Sequence, residues 1–302
     1  MAIQELLGET TAATFVENYY HKLPFAYAGG CPAASTLADW TLLERLLVAP
    51  GVDLMVVRAG ERYAGELPRD LAAARALYAQ GYTFVVRHAE RNDRGLAALA
   101  EDFARDFASP VDVHLYYTPG GNHGFSWHYD AEDVFILQAE GAKQYSLRKN
   151  TVQPWPVEET LPEDMGYRHE IMPLMQCTLR AGDWLYIPAG YWHRAQSEGD
   201  SCSLAVGLMS ATALDLIDLL RTRLLGSLSW RRRLPVCGAA TAQSDESLAA
   251  QYQEIATELA RDLEKQLTDP ALIAEFLAAR RPLASASAAS RPASGPLPIA
   301  AK

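Results

Sequence analysis

Two histidines and one aspartate have the residue types and the spacing that could hold a metal ion. His128 and Asp130 are separated by a single residue within a β-rich stretch of the sequence. Residues two apart on a β-strand point to the same face, so this imidazole and this carboxylate can converge on one point. Taken alone, the same pair also fits a surface histidine beside a solvated aspartate.

A third candidate ligand, His193, changes the interpretation of that pair. It follows the run Gly182-Asp-Trp-Leu-Tyr-Ile-Pro-Ala-Gly190, in which a predicted strand ends at a tight turn before the next strand begins. Two imidazoles and one carboxylate on neighbouring strands would occupy one face of an octahedron and leave the opposite positions open. That arrangement is the facial triad of non-haem Fe(II) oxygenases, whose open positions accept a cosubstrate and O₂.

The elements that would position these side chains are short strands separated by glycine and proline. The clearest predicted strands cover residues 111–118, 133–140, 143–147, 183–187 and 202–208. Many short strands with turn signals between them are typical of an all-β sandwich or barrel. On the last of them Ser203, Ala205 and Gly207 would share one face, and side chains this small leave room for a ligand.

The pattern along the chain predicts four regions. Residues 1–105 form an N-terminal α/β segment that packs on the barrel, and residues 106–210 form the barrel itself. Residues 211–282 are predicted to be helical because apolar residues recur at helical spacing, and the wide apolar stripe of the first helix favours a dimer interface. Residues 283–302, rich in alanine, serine and proline, are predicted to form a flexible tail.

Composition excludes several classes of protein. The 302 residues include 37 acidic and 27 basic side chains, which gives a formal net charge of −10. This balance argues against binding to the phosphate backbone of a nucleic acid, whereas a basic protein partner is compatible with it. The first residues lack the positively charged stretch and apolar run of a signal peptide, and no apolar run is long enough for a membrane span, so we expect a soluble protein that is not exported. Its four widely spaced cysteines predict neither a zinc knuckle nor a disulfide framework, so we expect a cytoplasmic protein.

Four motifs together give the sequence a resemblance to a known family. They are Leu115-Tyr-Tyr-Thr-Pro119, Gly124-Phe-Ser-Trp-His-Tyr-Asp130, Asp133-Val-Phe-Ile-Leu-Gln-Ala-Glu-Gly141 with Lys143 close behind, and the run that precedes His193. Through these motifs the stretch from about residue 81 to residue 209 resembles the JmjC branch of the cupin superfamily, close to the ribosomal oxygenases. The helix after Ser210 stands where members of that family place a dimerisation helix.

The resemblance implies a fold class and a set of cofactors. The fold would be mainly β, a double-stranded β-helix (jelly-roll or cupin) with N-terminal α/β elements and C-terminal helices. The metal would be Fe(II), with 2-oxoglutarate as cosubstrate and O₂ as oxidant. Matched residue by residue, His128, Asp130 and His193 would be the catalytic iron ligands.

Four further residues are implied in cosubstrate binding. Lys143 would pair with the distal carboxylate of 2-oxoglutarate, because a dianion held in a dry barrel needs a fixed positive partner. The alternative for this residue is a solvated lysine beyond the turn at Gly141. Tyr116 would donate its hydroxyl group to the cosubstrate, and Ser203 would line the opposite wall. His114 stands where members of the family often carry asparagine, and it offers a further nitrogen near the metal.

These inferences predict a 2-oxoglutarate-dependent dioxygenase that hydroxylates a C–H bond of a protein or peptide side chain, acting on a basic partner as a homodimer. One alternative is the same chemistry on a free amino acid or a small biosynthetic intermediate, because the ribosomal oxygenases carry a larger C-terminal module than this sequence provides. The other is a metal-binding cupin without redox chemistry, or a binding scaffold. A non-redox cupin would have no need of Lys143, and a scaffold would tolerate the loss of a triad residue.

Overall fold

The computed structural model describes residues 3–163, 165–167, 171–238 and 243–281. They divide into two compact units, residues 3–210 and residues 211–281. The tail predicted for residues 283–302 lies outside the described residues.

The first unit contains helices and eleven strands, together with two single 3₁₀ turns at Ala89–Arg91 and Glu158–Thr160. The helices are α1 (Ile3–Leu7), α2 (Ala12–Asn18), α3 (Ala34–Leu37), α4 (Trp40–Leu47), α5 (Leu71–Tyr78) and α6 (Arg94–Phe107). The strands are β1 (Phe25–Tyr27), β2 (Asp53–Arg58), β3 (Glu61–Arg62), β4 (Thr83–Arg87), β5 (Val111–Thr118), β6 (Asp133–Glu140), β7 (Ala142–Arg148), β8 (Met175–Arg180), β9 (Trp184–Ile187), β10 (Trp192–Ser197) and β11 (Ser201–Leu208).

These strands form two antiparallel sheets. The large sheet has eight strands in the order β1-β9-β6-β11-β5-β4-β2-β3, and the small sheet has three in the order β10-β7-β8. Strands β2, β3 and β4 belong to the N-terminal segment, which therefore extends the large sheet through the pairing of β4 with β5. Pairing of Ser203 with Tyr116 and of Ala205 with His114 fixes the register of the two central strands.

The large sheet separates two layers of packed side chains. Odd-numbered residues of β5 and even-numbered residues of β11 face the helices, where Phe15, Leu43 and Phe103 are fully buried with them. The opposite face packs against the small sheet through a second apolar cluster. On that face Ser203, Ala205 and Gly207 line a cavity, as the predicted alternation of this strand requires.

The second unit is helical, with α7 (Ala213–Leu224), α8 (Leu228–Arg231), α9 (Asp245–Leu267) and α10 (Pro270–Arg280). Arg223 of α7 forms ion pairs with Asp269 at 3.1 Å and with Glu275 at 2.7 Å. Among the described residues of the second unit, the buried apolar side chains are Leu220 and Leu272. None of the helices in the described ranges combines the length and the apolar character that crossing a membrane requires.

The turn between β6 and β7 generates a stability prediction. Gly141 has a φ of +71°, and a Cβ atom added there would overlap the backbone carbonyl of Asp200. We expect Gly141→Ala to lower the free energy of unfolding by at least ~1–2 kcal/mol, the cost of a left-handed conformation for a residue with a Cβ. Chemical denaturation measures this difference. Gly199→Ala is the matched control, because a Cβ at Gly199 meets nothing within 4 Å; equal losses in both variants would contradict the prediction.

Candidate metal centre

Backbone pairing brings His128 and His193 together. The two residues form an isolated antiparallel bridge, in which the His128 N–H donates to the His193 carbonyl at 3.1 Å and the His193 N–H donates to the His128 carbonyl at 2.8 Å. Their neighbours Tyr129 and Trp192 are buried and pack edge to face, with ring centroids 4.7 Å apart. Because these hydrogen bonds fix the backbone of both histidines, the two imidazole side chains start from neighbouring backbone positions.

Asp130 completes a set of three possible ligands. One ligand atom from each of His128, Asp130 and His193 lies within 4.8 Å of the others. The Asp130 Oδ2 atom is 3.4 Å from the His193 Nε2 atom. The N–H of Gly190, in the turn before β10, donates to the carbonyl of Asp130 at 2.9 Å. The turn that follows β9 therefore holds the backbone of the aspartate as well as leading to the second histidine.

Hydrogen bonds to the backbone set the tautomer of both imidazoles. The Nδ1–H of His128 donates to the carbonyl of Ser126 at 2.8 Å, and the Nδ1–H of His193 donates to the carbonyl of Tyr191 at 3.0 Å. The Nε2 atom of each neutral ring then carries the lone pair, which is the arrangement that orients histidine ligands towards a metal. Burial, followed by the nearby His128, lowers the pKa of His193 to about 4, so this ring is neutral at physiological pH.

Lys143 is a buried cation on β7. It is 4% exposed, its Nζ atom donates to the Ser203 Oγ atom at 3.0 Å, and it lies 5.6 Å from the centroid of the Tyr116 ring. Within the described part of the chain no carboxylate forms an ion pair with it. Burial lowers the pKa of this amine to about 8, so it still carries a proton at neutral pH. A positive charge without a counter-ion in a buried site is suited to pair with an anionic ligand.

One cavity, of about 820 Å³ counted out to its open mouth, joins these groups. All seven residues predicted from the sequence to form the site line this cavity: His114, Tyr116, His128, Asp130, Lys143, His193 and Ser203. Apolar side chains from both sheets, including Val134, Ile136 and Ala195, form the rest of the wall together with Glu132.

His114 has neighbours that the sequence did not indicate. Its ligand atoms group with those of His88 and Asp112, and not with the triad. Burial lowers the pKa of His114 to about 4, so its ring is neutral. A signal for this second group was present in the sequence, because Asp112 and His114 are two apart on one strand, as His128 and Asp130 are in theirs. Nothing in the sequence pattern connected His88 to them.

Comparison with known proteins gives a family match, curated relatives and solved structures of similar fold. Residues 87–216 match the family model described as "JmjC domain". A protein from Drosophila persimilis named "Bifunctional lysine-specific demethylase and histidyl-hydroxylase NO66" is 27% identical over 221 residues, which are 68% of this chain and 31% of that protein. A protein of the same name from Dictyostelium discoideum is 35% identical over 133 residues, which are 43% of this chain and 25% of that protein. The chain thus spans less than a third of the length of these curated relatives.

A solved structure supports the fold class. The ribosomal oxygenase YcfD from Escherichia coli, solved in complex with cobalt and 2-oxoglutarate, superposes with a TM-score of 0.58 at 17% sequence identity. The match covers 90% of this chain and 71% of the solved one. The predicted cupin-type fold with N-terminal α/β elements and C-terminal helices is confirmed.

Burial of Lys143 generates a prediction on stability. At about pH 7 the ligand-free protein buries this charge without a counter-ion, so Lys143→Met should raise its free energy of unfolding by about 3 kcal/mol. Above pH 8 the folded lysine loses its proton while the unfolded one keeps it up to about pH 10.4. The unfolded state then binds more protons, so the wild type gains stability and the difference from the variant shrinks as the pH rises.

The measurement is denaturant unfolding of the chelator-treated protein at about pH 7 and about pH 10. Lys149→Met removes an exposed lysine just beyond the same strand and is the matched control. A Lys143→Met variant that is less stable than the wild type at both pH values would rule out this account of the buried charge.

Proposed function

We propose that the protein is an Fe(II)- and 2-oxoglutarate-dependent dioxygenase, because residues 87–216 match the JmjC domain model and the residues of a possible metal centre lie within that match. Its reaction would be hydroxylation of a C–H bond in a protein or peptide side chain. One observation carries the proposal. One cavity is lined both by a set of two histidines and one carboxylate and by a buried lysine. Among the described residues this lysine has no ion-pair partner.

The donor set fits Fe(II). Two imidazoles and one carboxylate are the ligands of non-haem Fe(II) oxygenases. His128 and His193 would bind through Nε2 because their Nδ1–H groups already donate to the backbone, and Asp130 would bind through a carboxylate oxygen. Bound Fe(II), together with 2-oxoglutarate and O₂, would supply the oxidising power, while the protein supplies position and a site that excludes water.

The cavity also fits the cosubstrate. Lys143 would pair with the distal carboxylate of 2-oxoglutarate, and Ser203, which already accepts a hydrogen bond from Lys143, holds the ammonium group in place. Burial, with Asp130 as the next contribution, raises the pKa of Tyr116, so its hydroxyl group keeps the proton that it would donate to the cosubstrate. His114 lies on the same face of β5 and also lines this cavity.

Charge favours a basic protein or peptide as the substrate. The chain has a net charge of −10, and Glu132, which lies outside the triad, adds a carboxylate to the lining of the cavity. A substrate with lysine, arginine or histidine near the reacting side chain would be attracted to such a surface. The names of the relatives, histidyl-hydroxylase and ribosomal oxygenase, are consistent with a protein substrate.

The second unit supports assembly into a homodimer. Along α7 the side chains of Leu214 and Ile217 are 58% and 44% exposed, and Leu225 just beyond it is 59% exposed. Apolar side chains at this spacing form one face of the helix, and contact with a second copy of the chain would remove them from water.

Two other functions make different demands on the site. A cupin that binds Zn(II) or Mn(II) without redox chemistry has no use for the buried Lys143. An oxygenase acting on a free amino acid uses the same metal and cosubstrate residues, so only the substrate distinguishes it. Anaerobic addition of 2-oxoglutarate to the Fe(II)-loaded protein distinguishes the oxygenase from a non-redox cupin. Chelation of Fe(II) by the cosubstrate gives a weak visible charge-transfer band in an oxygenase, and a non-redox cupin gives no such band.

Removal of one histidine ligand should stop cosubstrate turnover. We expect His128→Ala and His193→Ala to abolish the formation of succinate from 2-oxoglutarate, because neither variant can hold the metal at three points. His123→Ala removes a histidine that lies outside the triad and is the control, with expected activity close to that of the wild type. Succinate formation at the wild-type rate in either triad variant would refute the assignment.

The substrate class can be tested in cells that produce this protein. Mass spectrometry should find a side chain in a basic protein or peptide that is one oxygen atom heavier in the wild type than in a strain without the gene. The mark should return when the gene is restored and stay absent when His193→Ala is supplied instead. If no protein mark is lost, the small-molecule alternative is favoured.

A further inference from the structure

A second set of two histidines and one aspartate lies at the adjoining ends of β4 and β5. One ligand atom from each of His88, Asp112 and His114 lies within 4.8 Å of the others. None of the three belongs to the triad. We propose that these residues form a second metal site, which takes a divalent transition-metal ion such as Zn(II).

The fold brings the three side chains together by strand pairing. Strands β4 and β5 are antiparallel neighbours, with Val86 opposite Leu115, so the residue that follows β4 lies beside the start of β5. His88 follows β4 in a left-handed conformation, with φ 50° and ψ 40°, which ends the strand. Asp112 and His114 are two apart on β5 and therefore share a face. Three potential ligands from two elements thus meet at one point.

His88 is buried without the hydrogen bonds that its ring requires. The residue is 3% exposed, and neither of its ring nitrogens has a hydrogen-bond partner. The Nδ1 atom is 3.2 Å from the Asp112 Oδ1 atom, but not in hydrogen-bond geometry. The Nε2 atom of His114 is likewise buried and without a partner. Buried polar atoms of this kind are rare in folded proteins and call for a water or an ion.

The spacing and the donor chemistry fit a metal ion. Two ligands that are each ~2.0–2.2 Å from one Zn(II) ion lie roughly 3 Å apart, which matches the separation of the His88 and Asp112 atoms. The His88 and His114 rings meet edge on, with centroids 5.4 Å apart, so both can direct a nitrogen to a shared point. Imidazole together with carboxylate favours transition metals over Mg²⁺ or Ca²⁺.

The charges around the cluster are compatible with a cation. The Nε2 atom of His114 is buried and accepts or donates no hydrogen bond, so it can face a cation. Arg87, which lies next to His88, is paired with Asp53 at 2.8 Å. Glu90 is also buried nearby, where it accepts a hydrogen bond from the Val113 N–H at 2.9 Å. The carboxylate of Asp112, with its Oδ1 atom 3.2 Å from the His88 Nδ1 atom, would supply negative charge to a divalent ion.

Metal titration tests this inference directly. Zn(II) is added to the tag-free, chelator-treated full chain and followed by calorimetry, with the final metal content measured after dialysis. We expect the wild type to bind two equivalents. The double variant His128→Ala/His193→Ala should bind one, because only the second site remains. Adding Asp112→Asn to that background should remove the remaining equivalent, while adding His123→Gln, which lies outside both clusters, should leave it in place.

A second readout guards against variants that fail to fold. In the His128→Ala/His193→Ala background, Zn(II) should raise the midpoint of thermal unfolding, since a ligand that binds only the folded state stabilises it. Asp112→Asn is close to isosteric, so without metal its midpoint should stay near that of the background, and Zn(II) should no longer raise it.

The inference is overturned if the wild type binds a single equivalent that the triad variants lose. It is also overturned if the equivalent that remains in the triad variants survives both Asp112→Asn and His88→Gln. The result of the metal titration does not depend on the proposed oxygenase activity. A protein that binds two equivalents of Zn(II) but does not turn over 2-oxoglutarate would contradict the proposed function and would still support the second metal site.

Discussion

The pairing of His128 with His193 is the interaction on which the arrangement of the site depends. His128 lies in the segment that leads into β6 of the large sheet, whereas His193 lies in β10 of the small sheet. Two backbone hydrogen bonds therefore join the two layers at the point where the ligands converge. The side chains can share one metal only while the sheets keep this separation, and the small residues of β11, Ser203 and Ala205 among them, keep the space beside them open.

The same two layers control the electrostatics of the cavity. Lys143 extends from the small sheet and Ser203 from the large one, and their hydrogen bond crosses the cavity at 3.0 Å. The overall charge of −10 opposes the approach of an anion, so the proposed binding of 2-oxoglutarate would have to rest on local charge. A buried lysine provides it, because a charge in a region of low dielectric acts far more strongly than charges exposed to solvent and salt. A net negative charge and one buried lysine would thus allow a single molecule to attract the proposed basic substrate and to hold the proposed acidic cosubstrate.

Much of this arrangement follows from local sequence patterns, because those patterns depend on the period of a strand. The alternation of residues 201–208 predicts which side chains face the helices, and the structure buries Leu204 and Val206 among them while Ser203 lines the cavity. Strand β8 was not predicted, since its sequence, Met-Gln-Cys-Thr-Leu-Arg, has no clear apolar alternation. Assignment of strands to two sheets, and the position of His88 beside Asp112, depend on pairings between segments that are remote in sequence. No periodicity within one segment contains that information.

The two histidine and aspartate clusters have similar composition but differ in what surrounds them, and this difference suggests different roles. In the triad, each histidine Nδ1–H donates to the backbone carbonyl two residues earlier in the chain. The Nε2 atoms of both rings are thereby left to face a cavity with an open mouth. His128, Asp130 and His193 would hold a metal beside the open part of the cavity, where ligands that exchange could reach it, as a catalytic site requires. In the second cluster, His88 is almost fully buried and its ring nitrogens have no backbone partner. An ion bound there would compensate those atoms and tie the end of β4 to β5. It would therefore act on the stability of the wall that carries His114 and Tyr116, and only through that wall on the reaction.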